Sequence, residues 1–178
     1  LDNGTGLVFN LILKNFFNIF GYNPDVGRIL TSIIGTLSIP ALGYLSFQIK
    51  KDYSFLLVIF LASINWYLIS YSQELRFYSL LFLLSILSVI FYFKILENDL
   101  TKKIKFFNCF LFITVSVFAL TVHIFFFIIT FTQIIFLLIN FSKLKKNFFI
   151  NLTCIILVPL IYSIIMIDSI ILQLNIKD

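Results

Sequence analysis

Charge is scarce in this sequence. Asp, Glu, Lys and Arg make up 12% of its 178 residues, against roughly 25% in a soluble domain. With 61% hydrophobic residues and a mean hydropathy of +1.08, that shortage excludes a water-soluble globular core. It points to a polytopic membrane protein. Cysteine is nearly missing too. Cys109 and Cys154 both lie in apolar runs, which speaks against a disulfide framework or a metal site and leaves two small core residues. No Gly-rich loop could cradle a phosphate, no Cys/His spacing fits a metal and no Ser sits on a nucleophile elbow. No Gly/Ser linker and no solenoid-type repeat divides the chain. The opening "LDNGTG" has neither the basic region nor the cleavage site of a signal peptide. Its first residue is not Met, so a fragment or a processed product is expected. Phe is abundant at 24 residues, a bias that reads as AT-rich codon usage rather than function.

The few charges are informative by position. Nine of the 13 basic residues fall in three clusters: Lys50-Lys51; Lys94 with Lys102, Lys103 and Lys105; and Lys143, Lys145 and Lys146. A net charge of +5 could suit nucleic acid, but short Lys-rich loops between apolar runs are instead the mark of cytoplasmic turns. Nucleic acid is not an expected partner. If all three clusters are cytoplasmic, an even number of crossings separates each pair. Between Lys51 and Lys94 lie 42 residues, room for two spans of about 18–20 residues. The only polar break there is "SYSQELRFYS", residues 70–79, which becomes an external turn. The 37 residues 106–142 would make one helix roughly 55 Å long at 1.5 Å per residue, too long for about 30 Å of hydrocarbon. They must turn back near Thr121-Val122-His123, on the same side as Glu74 and Arg76. The expected architecture is all-α: a polytopic membrane helical bundle of about six spans (29–49, 54–71, 77–94, 105–122, 124–141 and 148–170) in a unit covering 29–178. Pro40 and Gly43 are tolerated within the first span because neighbouring helices re-satisfy the freed backbone.

Residues 1–28 read as a separate external segment. Asn10, Lys14 and Asn18 recur at i, i+4, i+8 in "LVFNLILKNFFNIF", which makes one polar stripe on a helix. It is too short and amphipathic for a comfortable span and is expected to lie in the outer interface. "GYNPDVG" is a turn, with Asp25 expected to cap the next helix near Arg28.

Ionisable groups at the membrane edge are costly and therefore functional candidates. Arg76 and Arg28 could each hold an anionic group such as a phosphate through the planar guanidinium fork; each could equally be an interfacial anchor whose head reaches the lipid headgroups. Glu74 could hold Arg76, a metal or a sugar hydroxyl, or serve only as a polar turn. Tyr78 and Tyr71 suit an interface in either case. A lone His123 is a base or ligand candidate beside the plainer reading of a hydrogen-bonded structural residue. Asp2 is a carboxylate in what could be a simple turn, and Asp168 reads as a helix-end residue. Asn3-Gly-Thr5 and Asn151-Leu-Thr153 match the glycosylation sequon and read as chance.

Three stretches resemble one family. "ISYSQELRFYSLLFLLSILSVIFYF" is similar to a segment of bacterial glycosyltransferase family 39 proteins, relatives of dolichyl-phosphate-mannose protein mannosyltransferases with the GT-C fold. Their Ser-Gln-Glu-x-Arg-x-Tyr run is matched by Ser72, Gln73, Glu74, Arg76 and Tyr78. "FGYNPDVGRILTSIIGTLSIPALGYL" resembles the family's Gly-x6-Arg-x2-Ser-x3-Gly run at Gly21, Arg28, Ser32 and Gly35. In "TVHIFFFIITFTQ", His123 matches a Tyr-x-His segment, with Thr121 in place of the Tyr. The resemblance covers most of 1–142; the last span is generic.

The resemblance implies a transferase that moves a sugar from a polyprenyl-phosphate donor to a glycan, lipid or protein acceptor. The site is the outer face of the cytoplasmic (inner) membrane, and no metal ligand is assigned. It implies that Arg28, Glu74, Arg76, Tyr78 and His123 bind donor phosphate or sugar. The family's acidic catalytic residue lies in a first external loop that this sequence lacks; Asp2 is its expected remnant, and "NGTGLVF" departs from the usual His-Pro-Pro-Leu. The chain alone is therefore expected to be inactive. A transporter or flippase of a lipid-linked or anionic substrate is the alternative, although no paired broken helices or inverted repeats are visible in the sequence. A non-catalytic membrane subunit is a third reading.

Overall fold

The structure is a computed structural model. It describes residues 7–97 and 100–175, without the side chains of residues 7, 142, 143, 145–147 and 168–175. Asp2 lies outside the described residues, as does the side chain of Asp168. Every regular element among the described residues is a helix. They are α1 (Leu7–Phe20), α2 (Pro24–Lys50), α3 (Ser54–Ser63), α4 (Trp66–Gln73), α5 (Tyr78–Leu96), α6 (Lys102–Val122), α7 (Phe126–Ile139) and α8 (Phe141–Asn175).

Length and apolarity explain why the helices bundle as they do. α5 and α6, 19 and 21 residues long, reach about 28 and 31 Å, the thickness of a hydrocarbon core. They are apolar nearly all round, as a helix immersed in protein and lipid must be. Among the described residues four helices are long and apolar enough to cross a membrane: α2, α5, α6 and the 148–167 stretch of α8. The chain is a multi-pass helical membrane protein.

The finer count differs from six at two places. The expected span 54–71 is two helices, α3 and α4, bent by 53° at a short break, so it supplies a fifth crossing only if the pair counts as one. The break has a local cause. Asn65 starts α4 as its N-cap, its Oδ1 accepting from Leu68 N–H at 3.1 Å, a bond that competes with helix continuation. The expected span 124–141 is α7, whose 14 residues reach only about 21 Å. The last helix begins at Phe141 rather than near 148, since nothing in the Lys-rich stretch breaks it.

The ends of α1 and α2 follow local chemistry. Gly21 takes φ +95° and donates its N–H to Phe17 O at 2.9 Å, the left-handed cap that ends a helix on glycine. α2 starts with Pro24 at its first turn, where a missing N–H costs nothing. Its N-cap is Asn23, whose Oδ1 accepts from Asp25 N–H at 3.0 Å. Asp25 is thus not the cap expected from the sequence. It pairs with Arg28 instead, at 3.1 Å, because the side chain before Pro24 reaches the open N–H groups first. α1 buries Phe9 in the core, with Val8, Ile12, Leu13 and Phe16 packed against it. Lys14 and Asn18 are exposed and Asn10 is half-buried.

The core lies where α5 meets α6, α7 and α8, around Tyr92, Ile95, Phe112, Leu120, Phe126 and Val158. α2 packs along the other side of α5.

Candidate functional site

Three turns meet at one end of the bundle. The α1–α2 turn touches the α4–α5 turn, because Gly27 has no side chain and Leu75 fills the space a Cβ would take. One helix turn further, Ser32 Oγ donates to Ser72 O at 3.2 Å. At Gly35 an added Cβ would sit 2.5 Å from Ser72 Cβ. Gly27, Thr31 and Gly35 fall at i, i+4, i+8 on α2, the small-residue spacing that lets membrane helices approach closely. The α6–α7 turn joins them through stacking. The rings of Phe77 and His123 are 4.5 Å apart and 14° from parallel.

The Glu74–Tyr78 turn is tightly built. Arg76 N–H donates to Glu74 O at 2.8 Å, a three-residue turn. Phe77 then points inward and is buried. Ser79 Oγ donates back to Tyr71 O at 3.1 Å, and the Tyr71 and Tyr78 rings meet edge to face at 5.2 Å. The backbone is fixed while the charged heads are loose. Arg76 Nε is 3.8 Å from Glu74 Oε2, with side chains 62% and 42% exposed, so this pair adds little stability. Arg76 remains free to take another anion.

His123 is half-buried and extended. Its Nδ1 accepts from Phe125 N–H at 3.1 Å, which leaves the ring proton on Nε2. Arg28 is held only by Asp25 among the described residues, and both side chains are exposed. It heads an open groove of about 420 Å³ lined by Ile29, Ser32, Ile33, Thr36 and Leu37. So the structure joins His123 to the Glu74–Tyr78 turn through Phe77. It places Arg28 next to that turn through Gly27 and Leu75. Among the described residues no contact links the Arg28 guanidinium to Glu74, Arg76 or His123, and no three His, Cys, Asp or Glu side chains gather as a metal set.

The opposite end carries the lysines. Lys94 Nζ lies 5.4 Å from the Tyr44 ring centroid and 5.9 Å from that of Phe91, and Gln48 Nε2 donates to Ile90 O at 3.3 Å. Lys50 and Lys51 close α2 there. Asp52 follows. Its carboxyl is held below the usual 3.8 by the nearby Ser54 hydroxyl and by Ser54 N–H, which donates to Oδ1 at 2.9 Å.

Sequence reasoning missed the polar seam inside the bundle. Ser88 Oγ and Ser116 Oγ are 2.9 Å apart, Gln133 Nε2 donates to Ser88 Oγ at 3.2 Å, and Tyr92 OH donates to Gln133 O at 3.0 Å. The signal was a lone amide in "FTQIIFLL", since polar residues at such depth must find partners. Cys109 and Cys154 are buried as expected.

Comparison with known protein families, curated proteins and solved structures returns no match.

Proposed function

We propose that this chain is part of a membrane glycosyltransferase that takes a sugar from a polyprenyl-phosphate donor. The observation that carries the reading is the meeting of three turns at one end of the bundle. They bring Arg28, the Glu74–Tyr78 turn and His123 together, with two exposed guanidinium groups. In this reading the Lys-rich turns face the cytoplasm and the Glu74–Arg76 turn faces outward across the cytoplasmic membrane.

The chemistry needed is a single displacement. The acceptor oxygen attacks the anomeric carbon, and the bond from that carbon to the phosphate oxygen breaks with its electron pair. Arg76 stabilises the charge that collects on the departing phosphate. Glu74 orients Arg76 or touches the sugar, Tyr78 lines the sugar, and Arg28 is a second phosphate contact. His123, with its proton on Nε2, can donate to phosphate or sugar. The base that takes the acceptor proton is assigned to the acidic N-terminal segment that holds Asp2. An apolar cleft of about 490 Å³ supports a lipid-chain substrate. It runs along α6 from Phe110 to Thr121, with Val8 and Ile161 on its walls, and its Thr121 end lies two residues from His123.

The test uses the complete gene product in membranes, supplied with polyprenyl-phosphate-linked sugars, and follows release of polyprenyl phosphate. Arg76→Ala should cut release by about 100-fold or more, as loss of one preorganised charge-stabilising donor does, with helix content unchanged. Full turnover in Arg76→Ala would overturn the assignment. One observation favours a second reading, transport of a lipid-linked or anionic substrate: the broken α3–α4 pair, since discontinuous helices mark many transporter sites. Uptake of the intact lipid-linked sugar without release would support that reading.

A further inference from the structure

The two ends of the bundle treat their charges differently. Where the three turns meet, each arginine has a carboxylate beside it: Arg28 is 3.1 Å from Asp25, and Arg76 is 3.8 Å from Glu74. At the other end nine lysines, in segments 50–51, 94–105 and 143–146, stand against three carboxylates, Asp52, Glu97 and Asp99. Among the described residues no carboxylate forms an ion pair with Lys50, Lys51, Lys94, Lys102 or Lys103. The C-terminal dipoles of α2 and α5 offset about half a charge each, and the N-terminus of α6 adds about half a charge back. Most of the positive surplus has no counter-charge within the chain.

Lys94 is the focus of that surplus. It lies in the last turn of α5, whose length matches a hydrocarbon core, so it stands at the edge of the apolar layer. A lysine there ordinarily extends its stem outward and leaves its head in water. Lys94 is instead half-buried, and its Nζ lies within 6 Å of two ring centroids, Tyr44 at 5.4 Å and Phe91 at 5.9 Å. Tyr44 precedes Lys50 by six residues, about 9 Å back along α2. The ammonium is thus laid into the seam between α2 and α5, beside rings rather than oxygens. It carries three donors, and among the described residues none of them makes a hydrogen bond.

We propose that the lysine end seats an anionic phospholipid, with Lys94 as the central contact to its phosphate. Lys50 and Lys51, exposed at the close of α2, add attraction from the water side. The rings of Tyr44 and Phe91 offer apolar surface to the upper part of the acyl chains. The occupant follows from the position. Lys94 stands at headgroup level, where the anion at hand is a lipid phosphate. A soluble phosphate would gain nothing from the two rings. Basic residues at the surface attract anionic lipid by about fivefold each. That general attraction is screened by salt, whereas a partly buried ammonium is screened much less. Lys94 therefore turns a diffuse field into a seat.

The test reconstitutes the chain in phosphatidylcholine vesicles with a trace of spin-labelled phosphatidylglycerol or spin-labelled phosphatidylcholine. Electron paramagnetic resonance then separates lipid held at the protein from bulk lipid. Phosphatidylglycerol should be favoured by about fivefold or more, and part of that preference should survive about 1 M salt, where the Debye length is about 3 Å. Lys94→Gln should remove the salt-resistant part and Lys94→Arg should keep it. The double change Lys102→Gln, Lys103→Gln should lower only the salt-sensitive part. Equal association of the two lipids overturns the proposal. So does a preference lost entirely in salt, or one that Lys94→Gln leaves intact, since either reports a diffuse field alone. Displacement of the lipid by glycerol phosphate would mean a site for soluble anions and also overturns it. Should Lys94→Gln lose helix content by circular dichroism, Lys50→Gln with Lys51→Gln repeats the measurement. An unchanged preference in that variant overturns the seat.

Discussion

Where α2 meets α4, a glycine and a serine touch and a single side-chain hydrogen bond crosses the contact. Where α5 meets α6 and α7, two serines, a glutamine and a tyrosine exchange three hydrogen bonds amid large buried rings. Both contacts face the same physical problem. In lipid the hydrophobic effect does not push helices together, so association rests on close packing and polar contacts. The first contact uses proximity: without a Cβ at Gly35, Ser72 comes into direct contact with the helix. The second uses polar glue among large buried side chains. The difference matters because the first contact positions the Glu74–Tyr78 turn. A site carried by backbone proximity fails when one atom is added. A site carried by hydrogen bonds fails when one is removed.

The sharpest way to break that comparison is at Gly35. Gly35→Leu should cost about 1–3 kcal/mol or more, the price of overpacking a filled contact, and should also displace the Glu74–Tyr78 turn. Loss of helicity during detergent titration measures the first, and loss of Arg76-dependent turnover the second. Gly27→Ala should be milder than Gly35→Ala. The obstacle at Gly27 is the flexible end of Leu75, whereas at Gly35 it is Ser72 Cβ, one bond from the backbone. Equal costs would show that α4 moves freely against α2. Next comes the polar seam. Ser88→Ala should cost about 0.6–1.7 kcal/mol, the range seen for such bonds between membrane helices, because Gln133 Nε2 loses its acceptor. Gln133→Leu should be nearer to neutral. Gln133 Oε1 is already buried without a partner among the described residues, so the leucine removes that cost along with the bond. If Gln133→Leu were the worse of the two, an unseen partner would have to hold that oxygen.

The smallest effect is expected at the lysine end. Asp52 has its carboxyl lowered below 3.8, chiefly by the Ser54 side chain and backbone. A lowered carboxylate stabilises the fold fully above its unfolded value, and the contribution fades as the pH falls through the lower folded value. Wild type and Asp52→Ala should therefore differ slightly at neutral pH and converge below about 3.8. Hydrogen exchange at the first turn of α3 would detect the difference.

The helical membrane class was legible because it rests on composition: few charges and continuous apolar runs of span length fit helices, whereas the strands of a membrane barrel alternate apolar and polar residues. The turn at residues 73–78 was legible from the polar break between two Lys clusters on one side, and that at 122–126 from span length, since residues 106–142 cannot run straight through. The break at Asn65 was not legible. Asn and Ser also occur inside unbroken helices here, Ser88 and Asn108 among them, and only the cap geometry distinguishes Asn65. The cap of α2 was misassigned for a similar reason. Asn23 and Asp25 are both good caps, and the position of Pro24 decides between them. The seam joining Ser88, Ser116 and Gln133 spans 45 residues, a pairing no local pattern encodes.

The sequence by itself determined that this chain lives in a membrane as helices, and that its Glu74–Arg76 and His123 turns fall on one side. Both follow from counting, because hydrocarbon thickness and the cost of buried charge act on each residue wherever its neighbours lie. Only the tertiary structure decided which of those residues share a site. Stacking of Phe77 on His123, the approach of Leu75 to Gly27 and the splitting of one span into α3 and α4 depend on how helices dock. Docking is set by which small residues face each other across a contact, and that is a property of pairs of helices rather than of any one of them.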